Sequence, residues 1–259
     1  MGLARFLPHL GRLGRANRWR RTKGPPRVWA HRGDSAHEVE NTIAAFELAR
    51  RAGATGIELD VRFDRDHTVV VFHDHTLDRL AGRPGRMEDL PASERAALRL
   101  GGKHAVPTLA EVLDQLGDLE VDVEIKAIRP GRMGELAAAT AQVVAASGRA
   151  EQVLVSSFDP FALLTFHRHL PDVALAYLFH AEQPLPLRRG WIGTAMGASV
   201  FHPEHVLVTE ARAKAWHRAG VPINPWTVDD AAELRRLAAL GVDGIFTNDP
   251  AFAVKVLGE

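Results

Sequence analysis

Apolar and polar residues alternate strictly along residues 56–63, GIELDVRF. Ile57, Leu59, Val61 and Phe63 form one set, and Glu58, Asp60 and Arg62 the other. A period of two marks a strand, so Glu58 and Asp60 share a face. A second apolar run, Thr68–Phe72, follows after only Asp64–His67 and ends in His73-Asp74. That link is too short for a parallel crossover, so the pair is expected to form an antiparallel hairpin. A two-residue turn at Arg65-Asp66 would set Asp64 opposite His67 and Glu58 opposite His73. Leu119–Lys126, LEVDVEIK, alternates in the same way and puts Glu120, Asp122, Glu124 and Lys126 on one face.

Elsewhere strands alternate with amphipathic helices. A first strand at Arg27–Ala30 delivers His31, and a helix over Asn41–Ala52 closes at Gly53. Residues 79–106 are polar, with Gly-Arg-Pro-Gly at 82–85 and a short helix expected at Ala92–Leu100, an insertion placed where a rim or lid would lie. Thr108 and Glu111 have capping-box spacing ahead of a helix Leu109–Leu116. Strand 121–125, helix Met133–Ser147, strand Val153–Ser156, helix Pro160–His169 and strands near Ala174–Leu178 and Ala198–Phe201 continue the series. Helix Thr209–Ala219, strand Val221–Trp226, helix Asp229–Leu240 and strand Gly244–Phe246 complete it. Without the return arm of the hairpin, eight strands remain. With 259 residues, that is the make-up of one α/β barrel, for which about 250 residues is typical. Catalytic groups of such barrels sit at strand C-terminal ends, where His31, Glu58, Asp60, Glu124 and Trp226 fall.

Two carboxylates on one strand face repel, and a proton, a basic side chain or a metal ion relieves them. Glu124 is the natural third acid, with Lys126 beside it. Oxygen-only ligands suit a hard divalent cation, Mg2+ or Ca2+, better than zinc, which favours histidine or cysteine clusters. His31 and His73 suit acid–base work near neutral pH.

These residues belong to an ordered set: His31-Arg32-Gly33, Glu40-Asn41-Thr42 with Ala44-Ala45-Phe46, Glu58-Leu59-Asp60-Val61, and His73-Asp74 with Leu77 and Arg79. Pro107-Thr108-Leu109, Glu124-Ile125-Lys126, Ser157-Phe158, Trp226-Thr227-Val228 and Gly241–Thr247 follow. The set spans residues 28–250 and resembles the glycerophosphodiester phosphodiesterase family. The resemblance implies a TIM-type (β/α)8 barrel, here with a β-hairpin after the second strand and the short insertion near 79–106. It implies metal-dependent hydrolysis of glycerophosphodiesters to an alcohol and glycerol 3-phosphate through a cyclic phosphate. By family role His31 and His73 are the acid–base pair, and Glu58, Asp60 and Glu124 the metal ligands. Arg32 and Lys126 match phosphate-contacting positions and Trp226 a pocket-lining aromatic, while Glu40 and Asn41 support the site or cap the first helix. The chain departs from the family pattern at Val39, where Pro is usual, at Asp229 where Asn is usual, and at Asn248 where Asp is usual. None of these removes a proposed ligand or histidine. Two rival readings are a lysophospholipase D-type lipid phosphodiesterase on the same scaffold and a non-catalytic barrel that binds a metal or anion.

Composition narrows the partners. No run approaches the ~20 apolar residues of a membrane helix, and the absence of cysteine excludes disulfides and thiol chemistry. Net charge is zero but unevenly spread: residues 1–27 hold eight of the 32 Lys and Arg and no acid. The rest of the chain carries 24 basic and 32 acidic residues and no basic-aromatic interleaving, which speaks against nucleic acid. The expected organisation is a basic N-terminal extension, 1–26, and a single barrel domain, 27–259. Leu3, Phe6, Leu7, Leu10 and Leu13 fall near helical spacing, so the extension is a candidate for peripheral contact with an anionic membrane surface on an otherwise cytoplasmic enzyme. The expected ligand is a small-molecule phosphodiester. Among the other histidines only His202, just after a barrel strand, is a candidate for lining its pocket.

Overall fold

The computed structural model describes residues 18–126, 132–185, 187, 188, 190, 192, 195 and 198–259. Seven strands form one curled parallel sheet: β1 (Arg27–His31), β2 (Gly56–Phe63), β4 (Glu120–Ile125), β5 (Val153–Ser157), β6 (Ala174–Phe179), β7 (Val200–Pro203) and β8 (Gly244–Thr247). Their order is β7-β6-β5-β4-β2-β1-β8, and β3 (Val69–Val71) pairs only with β2. The eighth place is held by residues 222–226. Phe201 N–H donates to the Pro222 carbonyl and Trp226 N–H to the Pro203 carbonyl on one side. Asp243 N–H donates to Ile223 and Phe246 N–H to Pro225 on the other. Pro222 and Pro225 have no N–H to donate, so this segment bridges its neighbours without a full ladder. The ring therefore closes at the eight places the alternation predicts, although β7 begins at Val200, two residues later than the pattern suggests.

Between strands run the helices Ile43–Arg51, Leu109–Gln115, Met133–Ala146, Pro160–His169, Glu210–Arg218, Ala231–Ala239 and Pro250–Gly258. Their starts follow side-chain chemistry: Thr108 and Glu111 form the reciprocal capping box. Thr209, Asp230 and Asp249 cap the later helices. Thr42, not Asn41, caps the first. The outward apolar residues of the strands, such as Ile57, Leu59, Val61, Val121 and Val123, pack under these helices in the main core. Every residue of β2 is buried, so its alternate charged residues face the barrel interior, not solvent. Residues 77–106 form a side cluster in which Leu77, Met87, Leu90, Leu98 and Leu100 pack on Val70 and Phe72 of the hairpin. Its helix spans Ala92–Ala97.

The hairpin register differs from the expectation by one residue. Val61 pairs with Val71, Arg62 with Val70 and Phe63 with Val69. The loop has three residues, because the Asp64 carboxylate accepts from both Asp66 and Thr68 N–H groups and His67 takes a left-handed φ of 63°. In strict alternation this slip would turn His73 away from Glu58. Pairing ends at Phe72, whose N–H meets the Asp60 carbonyl, and His73 lies beyond the pleat, in a loop that Arg62 Nε fixes through the His73 carbonyl.

Arg18–Pro26 lie under the opposite, N-terminal end of the barrel. Trp19 is buried and sits 5.8 Å from the Trp29 ring. Arg27 donates to the Trp19 and Arg18 carbonyls, and Arg21 N–H to Asp243. Trp29 fills the barrel floor between Gly56 and Gly244, where a Cβ would stand 2.6 Å from its ring, so both positions need glycine for this close approach. The short helix expected at residues 3–13 lies outside the described residues. Among the described residues no helix is long and apolar enough to cross a membrane.

Candidate active site

His31 ends β1, and the chain then turns through two left-handed residues, Arg32 (φ 60°) and Gly33 (φ 85°). A Cβ at Gly33 would lie 2.7 Å from the Ala45 backbone, so only glycine fits. The turn aims the Arg32 N–H at Glu58 Oε2 (2.9 Å) and its guanidinium at Glu40 (2.9 Å) and Asp60 (3.3 Å). Strained non-glycine backbone of this kind persists where the surroundings over-determine it, and Arg32 is pinned at both ends. Asn41, also left-handed at φ 58°, donates from Nδ2 to Asp60 Oδ2 (2.7 Å) and accepts from Asp60 N–H. Glu40 and Asn41 thus orient Arg32 and Asp60 and do not line the cavity.

Parallel register places Asp60 beside Glu124 and Glu58 beside Asp122. Ligand atoms of Glu58, Asp60 and Glu124 all lie within 4.8 Å of one another. Lys126 Nζ bridges Asp60 (3.0 Å) and Glu124 (2.7 Å). Burial works against the charged form of Asp60, but the Lys126 and Arg32 cations outweigh it and hold its carboxyl well below the usual range. Burial, with the neighbouring acids Asp60 and Glu124, pushes Glu58 far up. Burial also raises Glu124, against the pull of Lys126. Three acids therefore share two cations, one of which also serves Glu40. Glu58 Oε1 is buried with no hydrogen-bond partner. An orphaned carboxylate oxygen in an all-oxygen cluster fits a hard divalent cation on these three residues.

His31 Nδ1 stands 2.8 Å from Asn248 Oδ1. An amide oxygen only accepts, so Nδ1 carries the proton and Nε2 is left with a lone pair. Burial, and next the Arg32 charge, push this imidazole down to about 4. His73 Nδ1 instead meets the Asp74 carboxylate at 2.7 Å. Burial opposes that carboxylate, yet hydrogen bonds from Arg79 and His73 bring it down to about 2. Arg79 forks across both Asp74 oxygens and both Glu40 oxygens at 2.7–3.0 Å.

One cavity of about 250 Å3 gathers His31, Arg32, Glu58, His73, Glu124, Lys126 and Trp226, all anticipated from sequence. Asp60 lies behind Arg32 and Lys126 and is fully buried. Phe158 stands edge-on to Trp226, whose indole N–H donates to the His202 carbonyl. His202 itself does not line the cavity: it is fully buried beneath, 3.4 Å from Asp122. Sequence reading passed over Asp122 and Ser156, which line the cavity, and Asn248, which contacts His31. Asp122 shares a strand face with Glu124, and Asn248 is one of the departures from the family pattern, so a signal for each was present.

A (β/α)8 barrel that gathers two imidazoles, an acidic cluster and two half-buried cationic side chains around one cavity at the C-terminal ends of its strands has the make-up of a hydrolase site. The family model described as "Glycerophosphoryl diester phosphodiesterase family" matches residues 31–252, and the chain belongs to that family. A glycerophosphodiester phosphodiesterase of Caldanaerobacter subterraneus subsp. tengcongensis is 34% identical over 242 residues, covering 89% of this chain and 97% of that protein. One of Bacillus altitudinis is 32% identical, covering 90% and 98%. An Oleispira antarctica phosphodiesterase, solved in complex with the product sn-glycerol-3-phosphate, superimposes with TM-score 0.81 at 25% identity, covering 91% of this chain and 98% of that one. The glycerophosphodiester phosphodiesterase of Thermotoga maritima gives 0.75 at 29% identity, covering 90% and 99%. The protein is a phosphoric diester hydrolase.

Proposed function

We propose that the protein hydrolyses glycerophosphodiesters to an alcohol and glycerol 3-phosphate, with His31 and His73 as the acid–base pair and a divalent cation, Mg2+ or Ca2+, on Glu58, Asp60 and Glu124. The observation that carries this reading is the single cavity lined by both imidazoles, both cationic side chains, Glu58 and Glu124. The glycerol 3-phosphate complex of the Oleispira relative supports the product. Residues 27–259 act as one catalytic domain, and 18–26 close its floor. A bound cation would neutralise charge growing on the phosphoryl oxygens.

The chain's own groups do the rest. His31 Nε2, kept neutral by burial and by the Arg32 charge while Asn248 Oδ1 holds the Nδ1 proton, takes the proton from the glycerol hydroxyl next to the phosphate. That oxygen attacks phosphorus, and the bond to the second alcohol breaks. His73, whose imidazole pKa burial lowers and whose Nδ1–H the Asp74 carboxylate holds against that burial, gives the departing oxygen its proton. The resulting cyclic phosphate is opened by water that His73 deprotonates, and His31 returns its proton to the glycerol oxygen. Arg32 and Lys126 carry the equatorial charge.

The test is a panel of glycerophosphodiesters with purified protein, reading glycerol 3-phosphate, with EDTA and add-back of Mg2+, Ca2+ or Mn2+. Turnover abolished by EDTA and restored by metal is expected. Equal turnover with EDTA refutes the cation, and no release from any ester refutes the reaction.

A further inference from the structure

Pairing in the hairpin stops at Phe72, so the ladder does not aim His73. The contact of its Nδ1 with Asp74 ties the ring only to the next residue. Arg62 reaches this loop from β2. Its Nε donates to the His73 carbonyl (2.8 Å) and its Nη1 meets His75 Nδ1 (3.2 Å), so one planar guanidinium spans residues 73 and 75. The same Nη1 lies 3.5 Å from Glu88 Oε1, and the two side chains are 3% and 4% exposed. A pair this deeply buried is little screened, and removing one partner is costly. Glu88 does not come from the barrel. It sits on a single 3-10 turn, Met87–Asp89, within the 77–106 cluster. Met87 is buried in that cluster with Val70, Phe72 and Leu77. Arg65 N–H donates to the Leu90 carbonyl (2.8 Å) and Ala92 N–H to the Asp66 carboxylate (2.7 Å), which clips the chain after the turn to the hairpin tip.

We propose that Glu88 is a positioning residue of the reaction: it fixes the Arg62 guanidinium, and Arg62 holds the backbone of His73 so that the imidazole faces the cavity. The inference rests on the hydrolytic reading above, which makes His73 one of the acid–base pair. A long side chain such as arginine keeps rotamer freedom unless its head group is held. The two bonds of Arg62 to the loop cannot do this alone, because the loop is the part to be placed. Glu88 supplies a reference outside the loop, delivered by a turn that is anchored by apolar packing on one side and by two backbone donors on the other. The 77–106 cluster is thereby a brace for His73 and not a rim alone. It also reaches the loop after His31, where His104 Nε2 stands 3.1 Å from Glu38. Glu88 touches neither substrate nor cation in this arrangement and acts only through Arg62.

The test uses the full chain with its divalent cation and glycerophosphocholine as substrate. Glu88→Gln keeps the shape of the side chain and removes its charge. It is expected to lower kcat about 10–100-fold with KM within about twofold, the mark of lost orientation. In a His73→Ala background the same substitution is expected to change the residual turnover by less than about twofold, because a residue that acts through His73 is silent without it. Long-range proton–nitrogen NMR spectra give a readout apart from activity: the imidazole signals of His73 should move in Glu88→Gln and those of His31 should stay. If Glu88→Gln does not fold, because it removes charge from only one side of the buried pair, Arg62→Gln with Glu88→Gln removes it from both and carries the same expectations. A kcat within about twofold of wild type, an equal loss in both backgrounds, or unmoved His73 signals overturns the proposal. Wild-type turnover in His73→Ala would instead refute the hydrolytic role of His73, and the spectra would then decide by themselves whether Glu88 holds its ring.

Discussion

His31 Nδ1 and Asn248 Oδ1 are 2.8 Å apart, and Asn248 in turn donates from Nδ2 to Asp229 (2.6 Å). Asp229 and Asn248, two of the places where the chain leaves its family's pattern, are therefore in contact with each other. Together they set a neutral amide, not a carboxylate, against the imidazole. Asn248→Asp alone would place two carboxylates face to face and remove the amide's donated bond, so kcat should fall about tenfold, the loss typical of a mispositioned partner. The exchange Asp229→Asn with Asn248→Asp should restore it. A carboxylate directly on His31 also raises its pKa, so the base is free only at higher pH and the acid limb of kcat/KM should move upward in the double variant. An unchanged pH profile would refute the base role of His31.

Arg79 ties the loop carrying Glu40 to the one carrying Asp74, and so holds Arg32 and His73 at once. Arg79→Ala should lower kcat about 10–100-fold with little change in KM, because orientation and not ground-state binding is lost. Lysine cannot fork across two carboxylates, so Arg79→Lys should recover only part. Steady-state kinetics on both variants decide this, and a variant at wild-type kcat contradicts it.

His202 has no exposed surface, and burial brings its imidazole down to about 3. An unfolded chain protonates the same group near 6.5. Between these values the unfolded state holds the extra proton, so this group's contribution to stability is complete above about 6.5 and lost as pH falls towards 3. Asp122 faces it with a carboxyl that burial pushes far up, and so it works in the opposite sense. Stability lost in His202→Gln should therefore grow as pH rises from about 3 to 6.5 and stay constant above that. Denaturant titrations at several pH values check it.

Trp19 closes the floor at the end of the barrel away from the cavity. Trp19→Ala should cost about 3–5 kcal/mol, as for a large core side chain, and leave KM unchanged at a temperature where the variant is folded. Thermal unfolding beside kinetics tests this. A raised KM would mean that the floor reaches the site.

The barrel was legible because its strands alternate or run apolar between capped helices, and because the acids, His31 and Trp226 fall at strand ends. The hairpin register was not: Asp64 builds a three-residue loop through two side-chain bonds, which an apolar pattern does not record. His73 reached the cavity for a reason periodicity omits, since it lies past the last ladder bond. The contacts of Asp122 with His202 and of Asn248 with His31 join strands or loops remote in sequence, and only the closed ring brings them together. Trp19 looked like part of a basic tail because charge dominated its neighbours, yet its indole fills the barrel floor.

The most direct test is a crystal structure with glycerol 3-phosphate and Ca2+ bound. The phosphorus should lie between the Nε2 atoms of His31 and His73, with the ion on Glu58, Asp60 and Glu124. A phosphate contacted by only one imidazole, or an ion elsewhere with Lys126 still bridging Asp60 and Glu124, would contradict the account.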